Sequence, residues 1–188
     1  MKGVVFNLLE AYIEENLGEG KYEEILEECI LKTKEAFVGP GTYPDEDLMA
    51  IVAETIKMAG IPLPEALRSF GRFCFHKLSE KNPGFVNPYT HPKPFLKSVE
   101  SIVHVEVKKL YEDANPPGFT YIDPASDRLI IQYRSGRMLC RFMEGLIDGV
   151  AGYYQSPIKY EQRTCMLEGG EVCEFNLTFE VPYRWGDL

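Results

Sequence analysis

One histidine and a later tyrosine, serine and arginine could together hold a metal complex that carries acidic groups. His104 lies on a mostly apolar segment, and further along the chain reads Tyr133-x-Ser135-x-Arg137. One imidazole gives too few ligands for a zinc site, but it suffices for an axial position on heme iron because the porphyrin supplies the other ligands. In extended backbone, residues 133, 135 and 137 project from one face, where an arginine and two hydroxyls can bind a carboxylate. These four residues form a candidate heme site.

Each half of this candidate site also has a simpler interpretation. Most helical histidines bind no metal, so His104 taken alone is better explained as a hydrogen-bonded structural residue. The Tyr-x-Ser-x-Arg pattern taken alone fits a polar strand edge whose side chains hydrogen-bond to backbone. The two signals gain weight only from their order and from the rest of the sequence.

The first half of the chain has the apolar spacing of helices. Apolar residues recur at helical intervals in residues 4–13 and 25–31, and Gly-Pro-Gly at 39–41 interrupts the pattern. A third helix is predicted over residues 45–58, and Pro64 opens a fourth that continues to residue 78. A proline-rich connector over residues 83–94 leads to the helix of His104, predicted over residues 95–111 and ending before Pro116 and Pro117.

The second half changes to the two-residue period of strands. Residues 128–133 are a short segment that includes the β-branched Ile130 and Ile131, and residues 173–181 alternate between apolar and polar types. We expect a hairpin between residues 158–166 and 173–181, with Gly169 and Gly170 in its connection, and a helix over residues 138–154. The pattern predicts a single α+β domain over residues 1–188, with a helical N-terminal subdomain (about 1–60) and a C-terminal subdomain of helices and a small antiparallel sheet (61–188).

The charge of the chain excludes several classes of partner. The 188 residues carry a formal net charge of −9, with 20 Lys and Arg against 29 Asp and Glu. Phosphate binding depends on clusters of Lys and Arg, which are missing, so we expect no nucleic-acid partner. Glu10, Glu14 and Glu15 interrupt the first apolar stretch, so neither a secretory segment nor a spanning helix is predicted. We therefore expect a cytoplasmic protein without membrane insertion.

Four segments in order along the chain carry a resemblance to known proteins. They are residues 1–10, Phe70-Gly71-Arg72-Phe73, residues 104–111 leading to Pro116-Pro117-Gly118-Phe119, and Tyr133-x-Ser135-x-Arg137-x-Leu139-Cys140. Together they resemble one family, the H-NOX (heme nitric oxide/oxygen binding) domains of bacteria and of soluble guanylate cyclase. The resemblance covers essentially all 188 residues and is most specific in the Tyr-x-Ser-x-Arg motif.

The resemblance implies a role for each of the candidate residues. It makes His104 the proximal ligand of heme b (iron protoporphyrin IX), which would lie between the two subdomains. Residues that would hold the heme propionates are Tyr133, Ser135 and Arg137. Pro117, opposed by Val5, would bend the macrocycle, and such distortion is one way in which a protein tunes heme electronics.

The resemblance also indicates which gas is bound. Oxygen-binding members have a distal tyrosine where this chain has Phe142, a tryptophan where it has Leu9 and an asparagine where it has Cys74. The expected distal wall is apolar apart from one weak thiol donor and comprises Val5, Leu9, Cys74, Phe142 and Leu146. We therefore expect a sensor that binds nitric oxide, and also carbon monoxide, and excludes oxygen.

The expected mechanism uses one movable helix. Nitric oxide weakens the iron bond trans to itself, which would release His104 with residues 95–111 and shift the N-terminal helices against the C-terminal part. The resemblance implies a separate partner, a histidine kinase or a cyclic-di-nucleotide enzyme. The alternatives are a heme enzyme, peroxidase-like or nitric oxide dioxygenase-like, and a heme-free ligand-binding or interaction module. We expect no enzyme, because the distal wall offers no histidine or arginine for acid–base work.

Three cysteines in the C-terminal part, Cys140, Cys165 and Cys173, form a second candidate site. Some bacterial relatives bind zinc there with one histidine, but this chain has Gln162 at the histidine position. Three thiolates could bind zinc with water or Glu161 as the fourth ligand, or two cysteines could form a redox-responsive disulfide. We favour plain buried thiols.

Overall fold

The computed structural model describes residues 1–184 and, in that range, mixes helices with one small antiparallel sheet, which confirms the predicted α+β class. The helices are α1 (Gly3–Leu17), α2 (Lys21–Glu28), α3 (Asp45–Ala59), α4 (Leu63–Lys81), α5 (Pro83–Val86), α6 (Pro92–Ser98), α7 (His104–Leu110) and α8 (Cys140–Tyr153). The strands are β1 (Gly118–Ala125), β2 (Arg128–Arg134), β3 (Ile158–Thr164) and β4 (Cys173–Phe179). Across residues 1–184, no helix has both the length and the apolar character needed to cross a membrane.

The first three helices pack around one apolar core in the N-terminal part of the chain. Phe6 and Ile13 of α1, Ile25 of α2 and Ile51 of α3 are each at most 1% exposed. Phe6 and Ile13 are seven residues apart, so both lie on the same face of α1. α3 begins with three acidic residues, which the positive end of the helix dipole favours.

The second helix ends earlier than its apolar spacing predicts. The pattern extends to residue 31, whereas α2 ends at Glu28 and Ile30 is 95% exposed. The reason lies in α3, where the Asp47 carboxylate accepts hydrogen bonds from the backbone N–H groups of Lys32 at 2.8 Å and Thr33 at 2.9 Å. These tertiary hydrogen bonds take the place of the helical ones that would continue α2.

The four strands form an antiparallel sheet in the order β1-β2-β4-β3, and the predicted β3–β4 hairpin is confirmed. Alternate residues of the two central strands face one side. Leu129 and Ile131 of β2 and Phe175 and Leu177 of β4 are buried in one cluster with Ile147 of α8. The sheet and α8 therefore form the second apolar core.

The first strand is an element that the sequence pattern does not predict. Pro116 and Pro117 precede β1 and Pro124 lies inside it, and a proline cannot donate a hydrogen bond to a neighbouring strand. β1 is an edge strand that pairs only with β2, and its pairing becomes irregular between Ile122 and Ala125. Edge strands tolerate proline because one side of their backbone has no partner strand.

The backbones of α4 and α8 approach each other closely at two glycines. A Cβ added at Gly71 would lie 2.2 Å from the carbonyl oxygen of Phe142, and one added at Gly145 would lie 2.0 Å from that of Arg68. Any larger residue would force the helices apart. An ion pair between Arg68 and Asp148, with Nε and Oδ2 2.6 Å apart, joins the same two helices.

α4 contributes to both apolar cores. Its Leu67 and Phe70 belong to the N-terminal core, and its Phe75 belongs to the core under the sheet. Because one helix serves both cores, the division into subdomains of residues 1–60 and 61–188 remains a prediction.

The segment that carries His104 is helical throughout but not one regular α-helix. α6 begins at Pro92, a π-helical turn spans Val99–Val103, and α7 continues from His104. The predicted connector is thus partly helical, because proline is compatible with the first turn of a helix. π-turns of this kind occur often at functional sites.

Replacing Asp47 with asparagine is expected to destabilise the fold by about 1–3 kcal/mol, the cost of leaving buried polar groups without partners. The side chain is 1% exposed. Its carboxylate also accepts a 2.6 Å hydrogen bond from the Thr33 hydroxyl, whereas an amide would turn an N–H group toward backbone N–H donors. Urea unfolding at neutral pH measures the effect, with the exposed Glu46→Gln as the control. Equal free energies of unfolding for Asp47→Asn and Glu46→Gln would contradict a stabilising role for the hydrogen bonds of Asp47.

The contribution of Asp47 should also depend on pH. Burial raises the pKa of its carboxyl, but the hydrogen bonds from Thr33 and Lys32 outweigh burial, so the net pKa is lowered. The stabilisation is therefore present above the unfolded-state pKa of about 3.9 and is lost as the pH falls through the lower folded-state value. The stability difference between wild type and Asp47→Asn should shrink over that acidic range.

Candidate functional site

A mainly apolar cavity of about 490 Å³ adjoins the N-terminal helices, the His104 segment, α8 and the sheet. Its volume lies within the usual range for small-molecule and cofactor sites, which is roughly 300–1,000 Å³. The structure brings most of the predicted site residues to its wall. Those that line it are Val5, His104, Pro117, Tyr133, Ser135, Arg137, Phe142 and Leu146.

The His104 imidazole is held at the cavity wall by two contacts. Its Nδ1 lies 2.9 Å from Oε2 of Glu100, and its ring stacks on Phe119 with the centroids 5.3 Å apart. Among the described residues this is the one hydrogen bond of the ring, so Nε2 is left for a ligand. Burial lowers the pKa of His104, while the Glu100 carboxylate opposes that shift. The neutral imidazole that results is the form that binds metals.

The polar end of the cavity differs from the extended segment that the sequence suggests. β2 ends at Arg134, and Met138 has a φ of 52°, so Arg137 lies in a turn and not in extended backbone. The prediction of three extended residues is therefore wrong for Arg137. Two hydrogen bonds stabilise the turn. The Oγ of Ser135 accepts one from the Arg137 N–H at 3.2 Å, and the hydroxyl of Tyr133 accepts one from the backbone N–H of Leu139 at 3.3 Å. The turn still leaves all three side chains on the wall of one cavity.

Arg137 has partners of its own in this structure. Its Nη1 donates to the carbonyl oxygen of Asn115 at 2.7 Å, and its Nε lies 2.8 Å from Oδ2 of Asp45. The Met1 amino group lies 2.6 Å from the other oxygen of Asp45. Asp45 thus orients the guanidinium, whose several N–H donors leave capacity for a further anion.

The opposite wall has a different composition from the one that the sequence suggests. Phe142 and Leu146 of α8 and Val5 of α1 line the cavity. Leu9 and Cys74, which are 2% and 1% exposed in the N-terminal core, do not line it. Phe70 of α4 lines the cavity, with its ring centroid 5.4 Å from that of Phe142.

The residues present suit a flat apolar ligand with acidic substituents and a metal centre, which is the chemistry of heme. The imidazole supplies one axial nitrogen, and the carboxylate on its far nitrogen is the partner that metal-binding histidines commonly have. The arginine and hydroxyls suit carboxylates. The prediction from sequence did not include three residues that contact the site: Glu100 and Phe119, which contact His104, and Asp45, which pairs with Arg137. Only Glu100 had a local signal, its position four residues before His104.

The three cysteines of the second candidate site do come together. Sγ atoms of Cys140, Cys165 and Cys173 all lie within 4.8 Å of one another, and all five cysteines of the chain are free thiols. Burial raises the pKa of Cys140 to about 12 and also raises that of Cys173. Glu161, a possible fourth zinc ligand, is exposed and pairs with an arginine 2.9 Å away.

The fold and the cavity together place the protein among heme-binding sensor domains. It belongs to the Haem-NO-binding (HNOB) family, whose sequence model matches residues 2–162. This confirms the resemblance to H-NOX domains, which bind heme and act as sensors of gases. No curated protein matches the sequence of the chain.

Solved H-NOX structures share the whole architecture. The H-NOX protein from S. oneidensis in the Fe(II)NO state has a TM-score of 0.89 and 26% identity, over 96% of this chain and 100% of that one. The Shewanella woodyi H-NOX bound to IWP-051 in the Fe(II)CO state has a TM-score of 0.83 and 28% identity, over 99% of this chain and 98% of that one. The unliganded Fe(II) H-NOX from K. algicida has a TM-score of 0.84 and 23% identity, over 98% of this chain and 100% of that one. At this identity the likeness shows the fold alone.

Purified, reduced protein is expected to contain well under one zinc per chain, because within residues 1–184 the three thiols have no fourth protein ligand beside them. Gln162→His supplies an imidazole at the missing position and should raise zinc toward one per chain. Elemental analysis after gel filtration measures both. Cys165→Ser in the Gln162→His background is the control and should abolish the gain. Stoichiometric zinc in the wild type would contradict the interpretation as plain thiols.

Proposed function

We propose that this protein is a sensor of nitric oxide that holds heme b in the cavity, excludes oxygen and signals to a separate protein. The observation that carries the proposal is the position of His104, a neutral imidazole at the wall of a large apolar cavity with its far nitrogen on a carboxylate. The sequence has no Cys-x-x-Cys-His motif for covalent attachment, which favours heme b over a c-type heme.

Different residues of the cavity would bind different parts of the heme. His104 would bind the iron, and Tyr133, Ser135 and Arg137 would hold the heme carboxylates at the polar end of the cavity. Pro117 and Val5 both line the cavity and would press on the ring from its two faces. Ferrous heme, when bound, would supply the affinity for nitric oxide and carbon monoxide.

The choice of gas would follow from the wall opposite His104. Oxygen draws negative charge when it binds ferrous iron, so it depends most on a nearby hydrogen-bond donor, whereas nitric oxide binds strongly without one. Val5, Phe70, Phe142 and Leu146 have no side-chain donor. Leu9 and Cys74 pack in the same core as Phe70 but do not line the cavity, so we assign them a supporting role in packing and none in contacting the gas.

Signalling would use the anchorage of the His104 segment. Lys93 and Lys97 of α6 both pair with Asp123 of β1, at 2.6 and 2.7 Å, and so hold α6 on the sheet. His104 lies beyond the π-turn, so its release would free α7 while α6 stays in place. A shift of α7 and of the N-terminal helices is a two-state change that a histidine kinase or a cyclic-di-nucleotide enzyme could recognise.

An enzymatic role has less support from the same wall. Peroxidase-like or nitric oxide dioxygenase-like turnover calls for a general acid or base beside the bound ligand. The four residues Val5, Phe70, Phe142 and Leu146 provide none. We therefore propose a sensor and not an enzyme.

Purified protein is expected to show a Soret band that His104→Gly removes and added imidazole restores, because imidazole can occupy the space of the missing side chain. His76→Gly is the matched control, since His76 is exposed on α4, and it should keep the band. Visible spectra and heme content measure the result. A wild-type protein without a Soret band after reconstitution would support the heme-free alternative instead.

Ferrous protein in air is expected to stay unliganded, and Phe142→Tyr should raise oxygen affinity about tenfold, the effect of one hydrogen bond worth about 1.4 kcal/mol. Phe73→Tyr adds the same hydroxyl to α4 outside the cavity lining and should change nothing. Visible spectra over a range of oxygen pressures measure the affinity. A stable oxygen complex in the wild type would contradict the assignment of the apolar wall.

A further inference from the structure

We propose that Glu100 is a positioning residue that sets the strength of the bond between His104 and iron and retains the imidazole when that bond opens. The inference deepens the proposed function and rests on it. It begins from a single atom, Oε2 of Glu100, which lies 2.9 Å from Nδ1 of His104 and 3.3 Å from the backbone nitrogen of Phe119.

This geometry fixes where the imidazole carries its proton. The same Oε2 already accepts the Phe119 N–H, and a carboxylate oxygen has no proton to donate to the ring. His104 must therefore donate from Nδ1, which leaves the lone pair of the neutral ring on Nε2. A carboxylate on the far nitrogen also makes the ring a stronger electron donor to a metal.

The π-turn provides the position of the carboxylate. Glu100 lies inside that turn, one turn before His104, and its side chain is 37% exposed while that of His104 is 14% exposed. The carboxylate thus reaches the ring from the solvent side of the segment. It does not occupy the cavity wall and leaves the Nε2 side of the ring open.

The second contact of Glu100 ties the ligand to the sheet. Phe119 of β1 pairs with Tyr133 of β2, one of the residues proposed to hold the carboxylates. The Phe119 ring also stacks on the imidazole, with an interplanar angle of 21°. His104 is therefore held by a hydrogen bond and a ring contact that do not require iron.

Two consequences follow for the proposed switch. The carboxylate strengthens the iron–His104 bond and so raises the threshold for its opening by nitric oxide. After opening, Glu100 and Phe119 keep the imidazole beside the cavity, which favours its return when the gas leaves. Loss of such a carboxylate partner typically changes metal binding by roughly 10–100-fold.

The test compares Glu100→Gln with Glu106→Gln in heme-loaded, full-length protein. Glu106 is on α7, two residues after His104, and pairs with Lys109 at 2.6 Å, so it controls for charge loss on the same segment. Resonance Raman spectroscopy of the unliganded ferrous protein measures the iron–histidine stretching frequency. We expect a lower frequency in Glu100→Gln alone. Under nitric oxide, the ratio of five- to six-coordinate protein should rise about tenfold in the same variant.

Each result decides between the inference and its alternatives. An unchanged iron–histidine frequency in Glu100→Gln, or an equal fall in Glu100→Gln and Glu106→Gln, overturns the positioning role. A Soret band in the same samples would show that heme binding, and with it the proposed function, still stands. A wild type without a Soret band overturns both. If Glu100→Gln does not retain heme, Glu100→Asp keeps the charge on a shorter side chain and should lower the frequency partly, whereas wild-type behaviour in Glu100→Asp would contradict the inference.

Discussion

The close crossing of α4 and α8 is the constraint on which the rest of the structure depends. Gly71 and Gly145 let the two backbones touch, and a single methyl group at either position would meet a carbonyl oxygen at about 2 Å. The crossing joins the N-terminal core to the core beneath the sheet. It also sets the separation of Phe70 and Phe142, which line the cavity from the two helices. The width of the apolar wall is therefore set by backbone contact and not by side-chain packing alone.

The wall that carries His104 is held in place by different contacts. There α6 is held to β1 by two lysines that share Asp123, and the π-turn that follows carries Glu100 to the back of the His104 ring. One wall is thus close-packed and apolar, whereas in the other α6 buries Phe95 and Leu96 but α7, which begins at His104, has no buried residue. Polar contacts at a partly exposed edge are exchanged more readily than a buried helix crossing. In the function proposed above, this asymmetry would give the sensor a fixed side and a movable side.

Much of the fold followed from local patterns. The period of apolar residues located the helices of the first half, and strict alternation located the β3–β4 hairpin. The errors have tertiary causes. α2 ends early because the N–H groups of Lys32 and Thr33 donate hydrogen bonds to Asp47 of α3. β1 was not predicted because its prolines are compatible with a strand only at the edge of a sheet. Neither cause is visible in a short window of sequence.

The sequence by itself determined the chemistry available to this protein: one histidine on an apolar helix, the Tyr-x-Ser-x-Arg pattern, and a phenylalanine in place of a hydroxyl at residue 142. The tertiary structure decided which side chains share a cavity. It left Leu9 and Cys74 off the cavity wall, brought Phe70 onto it and placed Arg137 in a turn. It also joined Glu100 and Phe119 to His104. Side-chain identity is local information, whereas contacts between distant segments depend on how the two cores close around the glycine crossing.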